Sequence, residues 1–266
     1  MIPLKDNIPT RRFPVITVAL IVINVAMFFG FQQATWSGSG FAVDSKNVVE
    51  YAFIPYELTH SDKHCGALGD IDSTDAKIAC GSNAALDERG TEPGSDQPST
   101  ALTILTSMFM HGGLLHIAGN MLFLWIFGNN VEDSMGRPKF VAFYLLGGVA
   151  ATLAQTLVDP NATTPNLGAS GAIAAVLGGY ALLYPRARVV TLILIVFFIT
   201  VIELPALLVL VGWFVLQLLD ASTDTAGGGG VAYFAHIGGF LFGLAAVKLF
   251  ASRARDDYVE PRLPVY

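Results

Sequence analysis

Residues 13–31, from Phe13 to Phe31, carry no charged side chain. A run of that length can cross a bilayer, which takes roughly 20 apolar residues. Similar runs recur at about 113–128, 139–158, 168–184 and 231–250. In hydrocarbon the backbone must satisfy its own hydrogen bonds, so such runs fold as helices. Composition agrees: 53% of the 266 residues are hydrophobic, only 14% are charged, and mean hydropathy is +0.56. A soluble chain carries nearer 25% charge. These values exclude a disordered chain and a coiled coil, and a net charge of −6 excludes a nucleic-acid binder. The expected fold is an all-α polytopic membrane protein. Lys5, Arg11 and Arg12 precede the first run, but no clear small-residue cleavage site follows it, so it reads as a retained helix after a short N-terminus, 1–12.

The acidity is concentrated. Residues 32–100 hold 11 of the 21 acids and 4 of the 15 bases. That segment is rich in Gly, Ser, Asp and Thr, lacks a sustained period, and reads as a solvated loop. The core, 101–250, follows it. The stretch 189–219 has one acid, Glu203, with Pro205 close behind. Its second part, 203–219, reads as the fifth span, and 189–202 as lying at the interface or extending that helix. The bases outside the acidic loop fall in four groups: Lys5, Arg11 and Arg12; Arg137 and Lys139; Arg186 and Arg188; and Lys248, Arg253, Arg255 and Arg262. They alternate with loops 159–167 and 220–230, which contain none. The positive-inside rule then predicts six spans with both termini and the tail, 251–266, in the cytoplasm. Seven spans would place the basic tail outside. Cys65 and Cys80 fall in the outer loop, either as a disulfide or as two free thiols.

Ionisable residues inside apolar spans are costly and mark function by default. His111, His116 and His236 lie at or in such spans, whereas His60 and His64 sit in the acidic loop. Asn120 follows His116 by four residues, so the two share a helix face. Spans two, four and six run in the same direction. His116, Ser170 and His236 then fall at a similar depth, with His236 ~7–8 Å into its helix at 1.5 Å per residue. Small residues would let two of these helices meet: Ser170, Ala174 and Gly178 on span four, and His236, Gly239 and Gly243 on span six. That arrangement sets a nucleophile, Ser170, against a general base, His236. An imidazole with an unperturbed pKa of about 6.5 suits such a base. Glu203 lies on another span near its cytoplasmic end and makes a poor third member, so a Ser–His dyad is expected. His116, Asn120 and the Ser170 backbone N–H are candidate donors to a developing oxyanion. Each residue also has a plainer reading. A serine in a membrane helix can back-bond to a carbonyl, and His111 can be an interfacial side chain.

Three separated segments resemble the rhomboid family of intramembrane serine proteases. They are Gly168-Ala169-Ser170-Gly171, the run from Met110 to Asn120 with His111 and His116, and Ala235-His236-Ile237-Gly238-Gly239. Glu132 to Arg137 is also similar to the family's cytoplasmic turn. The resemblance implies a six-helix rhomboid-like bundle, with Ser170 as nucleophile, His236 as base, His116 and Asn120 at the oxyanion, and His111 in support. It implies no metal or cofactor, transmembrane proteins as substrates, cut near their outer end, and the Gly-rich loop 220–230 as a mobile cap. Two features depart from the family pattern. Residues 32–100 contain no Trp-Arg pair, and Ala174 stands where some members carry an aromatic residue that stacks on the histidine. The alternatives are an inactive rhomboid-like protein that binds membrane clients, and a transporter with a histidine relay. Short termini and basic-flanked spans suggest a bacterial cell membrane, where the Asn161-Ala162-Thr163 sequon would carry no glycan. The oligomeric state and the substrates are not legible in the sequence.

Overall fold

The computed structural model describes residues 2–36, 41–43, 45–68, 77–82, 86, 97–195, 198–223 and 232–252. The expected cap at 220–230 lies mostly outside these residues, as does most of the tail. In chain order the helices are α1 (Val15–Phe31), α2 (Ser45–Tyr51), α3 (Pro55–Thr59), α4 (Thr100–Ser107), α5 (Leu114–Met135), α6 (Arg137–Val158), α7 (Ser170–Leu183), α8 (Ala206–Thr223) and α9 (Tyr233–Phe250). The strands are β1 (Ile2–Asp6), β2 (Thr35–Trp36), β3 (Phe41–Ala42), β4 (His64–Leu68), β5 (Lys77–Gly81), β6 (Arg188–Ile195) and β7 (Phe198–Pro205). Among the described residues α5, α6 and α9 are long and apolar enough to cross a membrane, and α1, α7 and the first part of α8 are shorter apolar helices.

The fold is mostly helical, which corrects the all-α expectation. Strands β6 and β7 pair antiparallel as a hairpin, and β1 adds to it in the order β1-β6-β7. The cause is local composition. Val189, Val190, Thr191, Ile193, Ile195, Ile199, Thr200, Val201 and Ile202 are β-branched, and such side chains favour strands. Helix α8 therefore begins at Ala206 and not at 203. A second difference is in the segment from Glu132 to Arg137, which the resemblance reads as a cytoplasmic turn. There α5 continues to Met135 and stops at Gly136, whose φ of 78° suits glycine.

Glu132 explains that extension. Its buried carboxylate accepts hydrogen bonds from the backbone N–H of Ile16 and Thr17 and from the Thr17 hydroxyl, at 3.0, 2.8 and 2.8 Å. The first turn of α1 has no side-chain cap of its own, so Glu132 satisfies its orphan donors and meets the positive end of its dipole. At the other end of α1, Gln32 clamps the His111 backbone. Its amide donates to the His111 carbonyl at 2.9 Å, and its oxygen accepts from the His111 N–H at 2.8 Å.

Asp6 on β1 is also buried. It accepts from Tyr180 Oη at 2.7 Å and from Asn130 Nδ2 at 2.6 Å. Burial pushes its carboxyl up to about 6 from an ordinary 3.8, although Tyr180 acts in the opposite sense. A carboxyl raised on folding holds its proton more tightly in the folded state. Stability is then greatest below the unfolded pKa and falls as pH rises from about 4 to about 6. Two pH units correspond to roughly 3 kcal/mol. Asp6→Asn, which keeps an acceptor for both donors, is expected to flatten the thermal-stability profile in detergent across that window. An unchanged pH slope in the variant would exclude Asp6 as its source.

The 32–100 segment, expected to be simply solvated, contains ordered structure. Cys65 and Cys80 are paired across β4 and β5 in a disulfide. The Glu57 carboxylate on α3 accepts from the Cys65 N–H at 2.8 Å and from Gln97 Nε2 at 3.0 Å. Burial raises its pKa against the effect of these donors. Phe53 pairs with Asn166 through two backbone hydrogen bonds, so the 32–100 segment is tied to the loop just before α7.

Candidate active site

Helix α7 begins at Ser170, behind a glycine that no other residue replaces freely. Gly168 has φ 128°, and a Cβ there would stand 2.9 Å from both Cε1 and Nε2 of His116 and 3.4 Å from Ser170 Oγ. The Gly168 N–H is anchored to the Ser107 carbonyl at 2.8 Å. The close approach of backbone, His116 ring and serine hydroxyl thus depends on a missing side chain. Ala169 offers no side-chain cap to α7, so the first N–H groups of the helix lack intrahelical acceptors.

His236 lies in the first turn of α9 and is 9% exposed. Its Nε2 is 2.6 Å from Ser170 Oγ. Main chain on main chain fixes this separation. A Cβ at Gly239 would strike the Gly171 carbonyl oxygen, and one at Gly243 would strike that of Ala175. In return, a Cβ at Gly178 would strike the Phe240 carbonyl oxygen. The small-residue stripes expected on spans four and six therefore face each other at backbone contact. Ala174 sits buried within this seam, 3.2 Å from where a Gly239 Cβ would stand, which leaves no room for an aromatic residue at 174. A ring comes instead from α8: Trp213 lies 5.7 Å from the His236 ring, tilted by 46°. Sequence reasoning missed this residue. Its one signal was the single tryptophan of the 203–219 span.

His116 and Asn120 project from α5 into the same cavity as Ser170, His236 and Trp213, a space of about 840 Å³. His116 Nδ1 faces the Gly112 N–H at 3.5 Å. An acceptor Nδ1 leaves the proton on Nε2, the atom beside Gly168. Asn120 Nδ2 is buried and, among the described residues, has no hydrogen-bond partner. A buried amide without a partner is costly, and here it borders a cavity. His111 does not line that cavity. It is fully buried, edge-on to His116 at 5.1 Å, and held through its backbone by Gln32.

The comparisons bear on the family of the chain. The Rhomboid domain model matches residues 98–253, more than half of the chain. The presenilin-associated rhomboid-like protein of mouse mitochondria is 32% identical over 150 residues, covering 53% of this chain and 36% of that protein. The mitochondrial rhomboid protein 1 of Saccharomyces cerevisiae is 31% identical over 153 residues, covering 56% and 42%. The rhomboid protease GluP of Bacillus subtilis is 41% identical over 81 residues, covering 30% and 15%. The match thus spans at most 42% of these curated relatives' length. They support a membrane protein but not the bacterial setting expected from the sequence, since two of the three are mitochondrial. With the domain match spanning more than half of the chain and including His116, Asn120, Ser170 and His236, the chain belongs to the rhomboid family.

Proposed function

We propose that this protein is an intramembrane serine endopeptidase that cleaves transmembrane segments of other proteins near their outer end. The observation that carries the reading is the 2.6 Å Ser170 Oγ–His236 Nε2 pair, opening on a cavity that is also lined by Asn120, whose Nδ2 has no partner among the described residues. Six spans, with both termini on the cytoplasmic side, complete the reading. The Ser170 hydroxyl passes its proton to His236 Nε2 as Oγ bonds to the scissile carbonyl carbon. The carbonyl oxygen becomes an oxyanion facing Asn120, His116 Nε2 and the Ser170 N–H. His236 then delivers the proton to the leaving nitrogen as the C–N bond breaks. Water, deprotonated by the same histidine, releases the acyl group and restores the serine. Trp213 positions the imidazole by packing beside its ring.

Incubation of detergent-purified protein with a fluorophosphonate probe tests the reading. Wild type is expected to be labelled and Ser170→Ala to stay unlabelled, with a chelator leaving labelling unchanged. An unlabelled wild type would favour a client-binding protein, and loss on chelation would favour a metal site.

The α7–α9 seam supplies a second expectation. Gly239→Val and Gly243→Val each force a side chain against a neighbouring carbonyl, so the helices must part. A ~1 Å misplacement of reacting groups costs about 100-fold. Turnover of a model transmembrane substrate is expected to fall by about that factor in each variant. Full activity in both would show that these glycines do not set the Ser–His distance.

A further inference from the structure

The three-stranded sheet presents an apolar face that no other part of the described protein covers. On its inner face Pro3, Asp6, Val189 and Thr191 are buried against the helices. On its outer face Ile2 is paired with Leu192, and Leu192 with Val201. Ile2 is 40%, Val201 55% and Ile199 74% exposed. In water such a strip, on a sheet with two open edges, would invite edge-to-edge association.

From the position of this face we infer that the β6–β7 hairpin, with β1, lies in the headgroup boundary of the protein's own bilayer as an interfacial anchor. The inference rests on the membrane placement of α7 and α8 proposed above. Three observations support it. First, β6 follows closely on the end of α7, and β7 runs into α8 with no intervening residue. Second, Leu207, Leu208 and Val211 at the start of α8 are exposed as well, so apolar side chains are presented both on the hairpin and on the helix it leads into. Third, Lys5, Arg186 and Arg188 are exposed at the hairpin's root. They outnumber Glu203, which faces Arg188 at 3.6 Å, and complement anionic headgroups. The open edges of β1 and β7 decide the depth. Unpaired N–H and C=O groups are not tolerated in hydrocarbon but are satisfied by water among headgroups. The hairpin therefore lies along the interface and does not cross it, with each strand ~26 Å long at about 3.3 Å per residue.

Because Cys65 and Cys80 are joined, single cysteines can be introduced and labelled with an environment-sensitive fluorophore. The experiment compares Ile199→Cys with Leu208→Cys in proteoliposomes of phosphatidylcholine and phosphatidylglycerol. Quenchers are aqueous iodide and lipids carrying nitroxide near the headgroup or near the chain end. The expected result at 199 is blue-shifted emission, shielding from iodide, and stronger quenching by the headgroup-proximal nitroxide. At 208 quenching by lipid nitroxide is expected in any case. Water-like emission at 199 with lipid quenching at 208 overturns the anchor alone. Stronger quenching at 199 by the chain-end nitroxide also overturns it, in favour of insertion. Disulfide-linked dimers of the unlabelled Ile199→Cys variant, without lipid quenching of its labelled form, overturn it in favour of a contact between copies. Water-like emission at both sites overturns the membrane placement and the anchor together.

Discussion

Ser170→Ala and His236→Ala are each expected to abolish cleavage of a model transmembrane substrate, and the double variant to be no worse than either single one. A nucleophile and its base act as one unit, so removing the second partner costs little once the first has gone. In a soluble serine protease with the same logic the loss is about 10⁶-fold in turnover. The fold should survive the serine change, because alanine keeps the Cβ and removes only an oxygen near the α7–α9 seam. His236 is buried beside Trp213, so its variant is to be checked for retained thermal stability before the activity is read. Additive losses in the double variant would sink the dyad.

The next largest effect is expected at the oxyanion. Asn120→Ala and His116→Ala leave the Ser170–His236 pair intact and remove donors from the cavity wall. One well-placed donor is worth about 10²–10³ in turnover, and less where others share the charge. The buried Asn120 Nδ2 has no hydrogen-bond partner among the described residues, so removing this donor should cost little stability. The expected signature is slow turnover, near-normal melting in detergent, and fluorophosphonate labelling that is slowed but retained. If stability falls first and activity only follows it, Asn120 is a tie between helices. Normal turnover in both variants would exclude the oxyanion role.

The parts of this site that were legible in the sequence share a property: their geometry follows from helix periodicity and small-residue spacing. Ser170, His236, Gly239 and Gly243 could be placed because 3.6-residue periodicity stacks them on facing stripes. The structure puts those stripes in backbone contact. Trp213 could not be placed, because which ring reaches His236 depends on where α8 packs, and an apolar run does not encode that. The hairpin at 188–205 escaped for a related reason. A continuous apolar stretch has no amphipathic period, so helix and strand are told apart only by β-branched content, which was there to be read. The extension of α5 to Met135 was hidden because Glu132 looks like a turn residue until the start of α1 is brought against it.

The α7–α9 seam carries one more consequence. Its closest contacts, at Gly178, Gly239 and Gly243, are made by glycine and backbone carbonyls, groups with no side-chain rotamers to freeze or to relax into. The spacing of the reacting pair is therefore insulated from side-chain repacking elsewhere. The rest of the cavity wall is the opposite: Trp36, Leu115 and Phe123 are large side chains carried by elements other than α7 and α9, so changes there redraw the volume without altering the seam's own residues. The protein thus separates a rigid chemical hinge line from a re-mouldable wall. On the proposed function, substitutions at those wall positions are expected to change which substrate segments are cleaved without changing the Ser170–His236 distance.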